Sequence, residues 1–391
     1  MAVIKRVRLS EIAELVTKGT TPTTLGYEFQ DTGVNFLKIE CFSEKGDYIQ
    51  NKATHISEEC HEKLKRSQLK EGDILFSIAG VIGRVAIVTR NMLPANINQA
   101  LAIIRIKKDD IYLPYVKLIL TSPLIKKQFE RKKQGVAQLN ISLKDINDLE
   151  IPLPEISKQI EYANSFKKVE KLIYTRQYQL QKLDELVKAR FVEMFGDDKY
   201  SKTPLINLIT EGAGLSYGIV QPGDSGTGDM GVLRPVDMVN GKISTHSIKY
   251  IDRSIGASFK KTELVGDELL ITVRGTTGVT ALTDSRFKNM NVTRGIAVIR
   301  YDRRKINPIY LNAFLNTDES QQYIQEHTRG ATLQQINLSD LRVHMIPVPP
   351  IELQEKLADF IQQVDKSKVA VQKSLDEAQL LFDSLMQQYF G

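Results

Sequence analysis

A chain of 391 residues is longer than one ordinary core requires, which predicts two or more domains. Its 42% hydrophobic and 26% charged residues are the balance of a soluble globular protein; no apolar run reaches 18 residues, and the opening MAVIKRVRLSEI lacks the apolar core of a signal peptide, so a membrane partner is not expected. A net charge of +6 with a pI near 9.0 favours a polyanionic partner, and two cysteines, Cys41 and Cys60, exclude a disulfide framework and point to a reducing, cytoplasmic setting.

In chain order, KGTTPTT (18–24) is polar and flexible, and Lys18 and Thr20 make it a recognition-loop candidate. Cys41, His55, Cys60 and His61 follow, but their spacing matches no usual zinc pattern, so no metal is expected. GDILFSIAG and RVAIVT predict two strands joined by a glycine-containing turn. That loop carries Arg84, and its glycines would let backbone approach a phosphate closely; tight-turn geometry alone also explains them. NQALAIIRI (98–106) predicts a short apolar strand, and YLPYVKLILTSPLIKKQFE a proline-started helix. KKQFERKKQGVAQLN (126–140) sets five Lys/Arg against one Glu. There Arg131, Lys132 and Lys133 would neutralise phosphates, and Gln138 and Asn140 could read base edges; a solvated helix end is the bland alternative. LNISLKDINDLEIPLP then predicts a loop, a turn of helix and a strand that runs straight into a long helix.

The whole pattern recurs 195 residues later. NQALAIIRI falls on TRGIAVIRY (293–301), GVAQLNISLKDI on GATLQQINLSDL, and FVEMFG on MQQYFG. EGDILFSIAGVIG (71–83) pairs with VGDELLITVRGTTG (265–278) once one residue is inserted. The first 60 or so residues of each half match poorly, SYGIVQPGD with its Tyr217 among them. The chain thus reads as a tandem duplication with divergent fronts and similar backs. The second half's candidate contacts to a polyanionic partner are Tyr217, Arg274, Thr276, Thr277, Arg294, Arg329, Gln334 and Gln335. NPIY (307–310) resembles the Asn-Pro-Pro-Tyr signature of adenine methyltransferases, but its third residue is Ile and no glycine-rich cofactor loop precedes it, so a helix start is the preferred reading and no cofactor is expected.

Each half ends in a sustained heptad ladder. Leu357, Ile361, Val364, Val371, Leu375, Ala378, Phe382, Leu385 and Tyr389 are broken only by Lys368. The first half gives Tyr162, Phe166, Val169, Ile173, Leu180, Leu183, Val187 and Met194, broken by Arg176 and Arg190. An amphipathic helix packed on its own domain would also satisfy the pattern. Nearly forty residues favours a two-helix coiled coil, and because a compact domain returns its chain close to where it began, the pair is expected to be antiparallel and roughly 57 Å long.

The duplication, the GD-x-L strand, the N-I-S/N-L-x-D-I/L segment, the I-P-x-P junction and the paired terminal helices resemble the specificity (S) subunit of type I restriction–modification enzymes over the whole chain. The resemblance implies an α+β protein: two tandem-repeated α/β target recognition domains, 1–154 and 197–349, separated by an antiparallel two-helix coiled coil, 155–196 and 350–391, with pseudo-two-fold symmetry. It implies double-stranded DNA as ligand, each domain reading one half of a bipartite asymmetric site. It further implies two methyltransferase (M) subunits docked on the helices, restriction (R) subunits in the full complex, and no catalysis by this chain. The competing readings are a coiled-coil adaptor that binds protein only, and a self-sufficient DNA adenine methyltransferase.

Overall fold

The computed structural model describes residues 5–107, 110–132, 140–196, 199–221, 223, 228–239 and 241–390. The chain forms two compact units, one from residues 1–176 and 374–391, the other from 177–373.

The first unit is built on a four-stranded antiparallel sheet in the order Ala13–Lys18, Leu101–Ile106, Ile74–Ser77, Val85–Ile87. Its central strands are the apolar runs of the sequence, and Ile74, Phe76, Ile103 and Ile104 are at most 1% exposed. A three-stranded sheet, Thr54–Ile56, Val34–Leu37 and Ala95–Ile97, holds the divergent front, with the last pair parallel. Arg6–Arg8 pairs with Glu150–Pro152 immediately before the long helix.

The second unit repeats this plan: Ser216–Tyr217, Ile296–Ile299, Leu269–Thr272 and Thr280–Leu282 in one sheet, Lys249–Ile251, Met230–Leu233 and Asn291–Val292 in another, and Lys202–Pro204 against Met345–Pro347. Between these edges the repeat persists atom by atom. Tyr115 donates its hydroxyl to Pro152 O at 2.9 Å, and Tyr310 donates to Pro347 O at 2.9 Å. Gln159 Nε2 donates to Pro154 O while its Oε1 accepts from Tyr112 N; Gln354 does the same with Pro349 O and Asn307 N. The I-P-x-P junction is therefore a joint: a buried Tyr and a buried Gln lock the last strand, the proline turn and the start of the long helix to one another.

Two expectations are corrected. Each proline-started helix is two helices, Leu113–Leu120 with Pro123–Lys132, and Pro308–Leu315 with Asp318–Glu326. Pro123 cannot donate a backbone hydrogen bond, and the Thr317 hydroxyl takes Ser320 N, so a new helix starts at each point. The alignment also set Asp73 against Asp267. The structural counterpart of Asp73 is Glu268: Asp73 receives Arg105 at 2.7 Å and Lys70 N, while Glu268 lies 3.6 Å from Arg300 and receives Val265 N. No inserted residue separates the two strands that follow.

The long helices span Ile156–Phe195 and Ile351–Phe390, each 40 residues or roughly 60 Å. Every rung of both ladders is buried or half-buried. In the first unit the contacts descend as an antiparallel pair requires, from Tyr162 on Tyr389 through Phe166 on Phe382 to Arg176 on Ser374. In the second unit Asp184 meets Lys368 at 2.7 Å and Arg190 lies over the Phe360 ring. Each polar break in the ladder thus finds a partner on the facing helix, which is why the seam tolerates it.

One buried polar pair belongs to the second unit alone. His344, 3% exposed, shares a 2.8 Å hydrogen bond with Ser320 Oγ and stacks on Tyr323. The first unit has Leu149 and Ile125 at the corresponding positions, both 1% exposed. Burial first, then His327 and Lys202, push the His344 pKa from 6.5 down to about 4. The folded protein holds this histidine neutral while the unfolded chain protonates it. Its contribution to stability is therefore complete above about pH 6.5 and declines as pH falls toward about 4. The loss should reach on the order of 3 kcal/mol. Denaturation midpoints measured between pH 4 and 7 should fall on acidification, and S320I/H344L, which copies the first unit, should flatten that slope; an unchanged slope would contradict the assignment.

Candidate nucleic-acid interface

In each unit the described loops with sequence candidates meet at one end of the four-stranded sheet, where one central strand finishes and its neighbour begins. In the first unit Ile74–Ser77 ends in a turn held by Gly83 N to Ser77 O and by Arg84 N to Ser77 Oγ. Leu269–Thr272 ends in the same turn, with Gly278 N to Thr272 O and Val279 N to Thr272 Oγ1. Gly83 and Gly278 both have φ of +87°, so the tight-turn reading of these glycines holds. The segment before the short helix is stitched to this turn in both units, Ile141 N to Ile78 O at 3.0 Å and Ile336 N to Val273 O at 3.1 Å. Asn140 and Gln335 are consequently counterparts, the first exposed and the second half-buried.

The second unit's candidates converge closely. Arg274 and Gln335 are bridged, and Gly275 N donates to Gln334 O. Val273 N donates to Gly295 O, which sets exposed Arg294 beside the same turn. Thr328–Arg329 and Gln335–Ile336 form a hairpin whose connecting loop ends in exposed Gln334. Thr276 is exposed, and exposed Arg329 lies 3.7 Å from Asp340. The Tyr217 oxygen accepts Leu338 N at 3.3 Å, which ties the Ser216–Tyr217 strand to the helix that follows the hairpin. A surface cleft opens there, with the Phe259 ring and Arg342 in its wall and Lys260 and Lys261 on the adjoining stretch.

In the first unit Lys18 is exposed and Thr20 half-buried at the matching sheet end. Arg131 and Lys132 close the helix Pro123–Lys132, while Lys133 and Gln138 lie outside the described residues.

Two candidates are engaged inside the fold. Arg84 donates to Ile39 O and Phe42 O at 3.2 and 2.7 Å, pinning the turn to the divergent front. Thr277 is 5% exposed, with its hydroxyl on Thr328. The sequence reading also missed Gln99. It is exposed, bonded to the Thr21 hydroxyl, and stands where the second unit has Arg294; the 195-residue shift already placed the two in register.

Other motifs have local explanations. Asn307 caps the helix Pro308–Leu315 by accepting Ile309 N, and Tyr310 is fully buried, so NPIY offers no open grip for a base. Cys41 and Cys60 are buried thiols. Among the described residues no group of three His, Cys, Asp or Glu side chains could hold a metal ion, and no helix is long and apolar enough to cross a membrane.

A family model described as the type I restriction modification DNA specificity domain matches residues 3–185 and 225–378. The type I restriction enzyme EcoBI specificity subunit of Escherichia coli is 25% identical over 190 residues, 49% of this chain and 40% of that protein. A Methanocaldococcus jannaschii protein named as the type I restriction enzyme MjaX specificity subunit is 26% identical over 384 residues, 91% of this chain and 85% of that protein. Among solved structures, a chain from a study of complex assembly and conformational transition of the type I R-M system superposes with a TM-score of 0.62 at 17% identity, covering 99% of this chain and 97% of that one. The S subunit of a type I system from M. genitalium superposes with a TM-score of 0.55 at 12% identity, over 100% and 97% of the two chains. These two likenesses concern the fold.

Proposed function

The chain belongs to the type I restriction–modification DNA specificity family, and from that premise we propose that it is the sequence-reading subunit of such an enzyme, working in the cytoplasm on double-stranded DNA. The globular domains 1–154 and 197–349 each read one half of a bipartite, asymmetric site. The helices 155–196 and 350–391 set the interval between half-sites and dock two methyltransferase subunits, with restriction subunits joining the full complex. The chain supplies recognition and leaves catalysis to those partners.

The observation that carries this reading is the repeated sheet end: one backbone plan, built twice, with different polar side chains set on it. Lys18, Thr20, Gln99 and Asn140 occupy it in the first unit; Tyr217, Arg274, Thr276, Arg294, Gln334 and Gln335 in the second. Arg and Lys suit guanine edges and phosphates, and Asn and Gln suit adenine. Two readers of different half-sites need this combination of a constant frame and variable contacts.

The test is DNA binding and methylation by the complex reconstituted with its methyltransferase partner. Binding should weaken linearly in log–log form with salt, by about 0.9 in slope per phosphate neutralised. Adenine methylation should require both components. A complex that assembles but shows no salt-dependent DNA binding would favour a protein-only adaptor, and tight S-adenosylmethionine binding by this chain alone would favour a self-sufficient methyltransferase.

A further inference from the structure

Lys18 and Tyr217 occupy the same place in their two units, although their sequence surroundings do not align. Lys18 pairs in register with Ala102, and Tyr217 pairs with Ala297, its counterpart 195 residues on. Each is followed by a glycine, Gly19 and Gly218. A Cβ on either glycine would collide with the carbonyl of the strand that precedes the register partner, Ile97 O in one unit and Val292 O in the other. Both strands therefore leave the sheet along the same path, forced by the same close approach. The interval between this position and the rest of the repeat differs by four residues in the two halves, and that offset hides the equivalence from a fixed-shift alignment.

The backbone is thus held constant while the side chain changes class. Lys18 is exposed at the sheet end, a flexible point charge with three donors. Tyr217 is 36% exposed, and its oxygen already accepts Leu338 N, which fixes the ring at the cleft's edge and leaves the hydroxyl proton to donate outward. The neighbouring contacts differ in step: Gln99 accepts the Thr21 hydroxyl three residues beyond the first position, and Arg294 N donates to Ile219 O two residues beyond the second.

We infer that this position, Lys18 in one unit and Tyr217 in the other, is a specificity-determining contact of each half-site reader. Lys18 donates to the O6 and N7 acceptors of a guanine, and the Tyr217 ring and hydroxyl select an A·T pair through the thymine methyl and a base acceptor. The inference rests on the DNA-reading function proposed above.

The experiment uses the full chain with its methyltransferase partner and reads the methylated motif across a genome, with binding affinity for cognate and single-base-substituted duplexes. K18M should abolish the guanine preference at one position of one half-site, lowering discrimination there by roughly tenfold, and leave the other half-site intact. Y217F and Y217K should change one position of the other half-site only. Because Lys18 is exposed, K18M should melt like the parent, so loss of binding through misfolding is separable by its Tm. A uniform fall in affinity with an unchanged motif would make Lys18 a phosphate contact and overturn the inference, as would variants indistinguishable from the parent. If the parent complex methylates no defined motif, the failure lies in the DNA-reading function itself.

Discussion

Phe166→Ala should lower the stability of the protein by about 3–5 kcal/mol, the cost of emptying a buried aromatic site. Phe166 is 1% exposed and its ring meets Phe382 edge-on at 5.3 Å, Tyr389 at 6.2 Å and Phe390 at 5.9 Å. It stands where the two long helices join the core of the first unit, so the cavity would open both the helix seam and that core. Leu375→Asp, on the same seam, should be comparably damaging, because Leu375 packs on Val169, Ile173 and Ala378 and a carboxylate there has no hydrogen-bond partner on offer from those side chains. The control lies on the same helix: Leu380 is 71% exposed, and Leu380→Asp should change stability by no more than about 0.5 kcal/mol. Urea midpoints for the three variants decide the matter. A Phe166→Ala protein no less stable than Leu380→Asp would mean that the heptad ladder is decoration on two independent helices.

That ladder was legible in the sequence because a heptad repeat survives any local detail: ten rungs on each helix, three polar breaks across the two, and a length that favours a second helix as the cover. The duplication was legible for a related reason, since Tyr115 and Tyr310 or Gln159 and Gln354 make identical bonds and so leave identical spacing. What stayed hidden depends on geometry that spacing does not record. Asp73 and Glu268 fill one role with different side-chain lengths, so the matching Gly-Asp letters misaligned them. The break at Ser122–Pro123 turns on one proline that cannot donate the backbone hydrogen bond a continuous helix would need there. Arg84 looked like a phosphate ligand because its charge is visible in the sequence and the carbonyls of Ile39 and Phe42 that occupy it are not. Lys18 and Tyr217 escaped pairing because their equivalence is one of sheet register, carried by a glycine collision rather than by similar letters.

The largest functional effect should come from exchanging a whole reader. Residues 197–349 run from the end of one long helix to the start of the other, and their two boundary strands, Lys202–Pro204 and Met345–Pro347, pair with each other, so the segment closes on itself. Replacing it with the corresponding segment of a relative exchanges both closing strands together, while Gln354 and the helix ladder lie outside the segment and stay, with Gln354 reaching backbone atoms at positions 307 and 349. The first unit's sheet end, with Lys18, Gln99 and Asn140, is untouched. Specificity should then change by the several orders of magnitude that separate specific from non-specific binding, confined to one half of the site. The measurement is the methylated motif of cells carrying the parent or the chimaera together with the methyltransferase partner. The two-reader account predicts one half-site replaced and the other retained with its sequence unaltered; a chimaera that alters both half-sites together, or leaves both as they were, would contradict it.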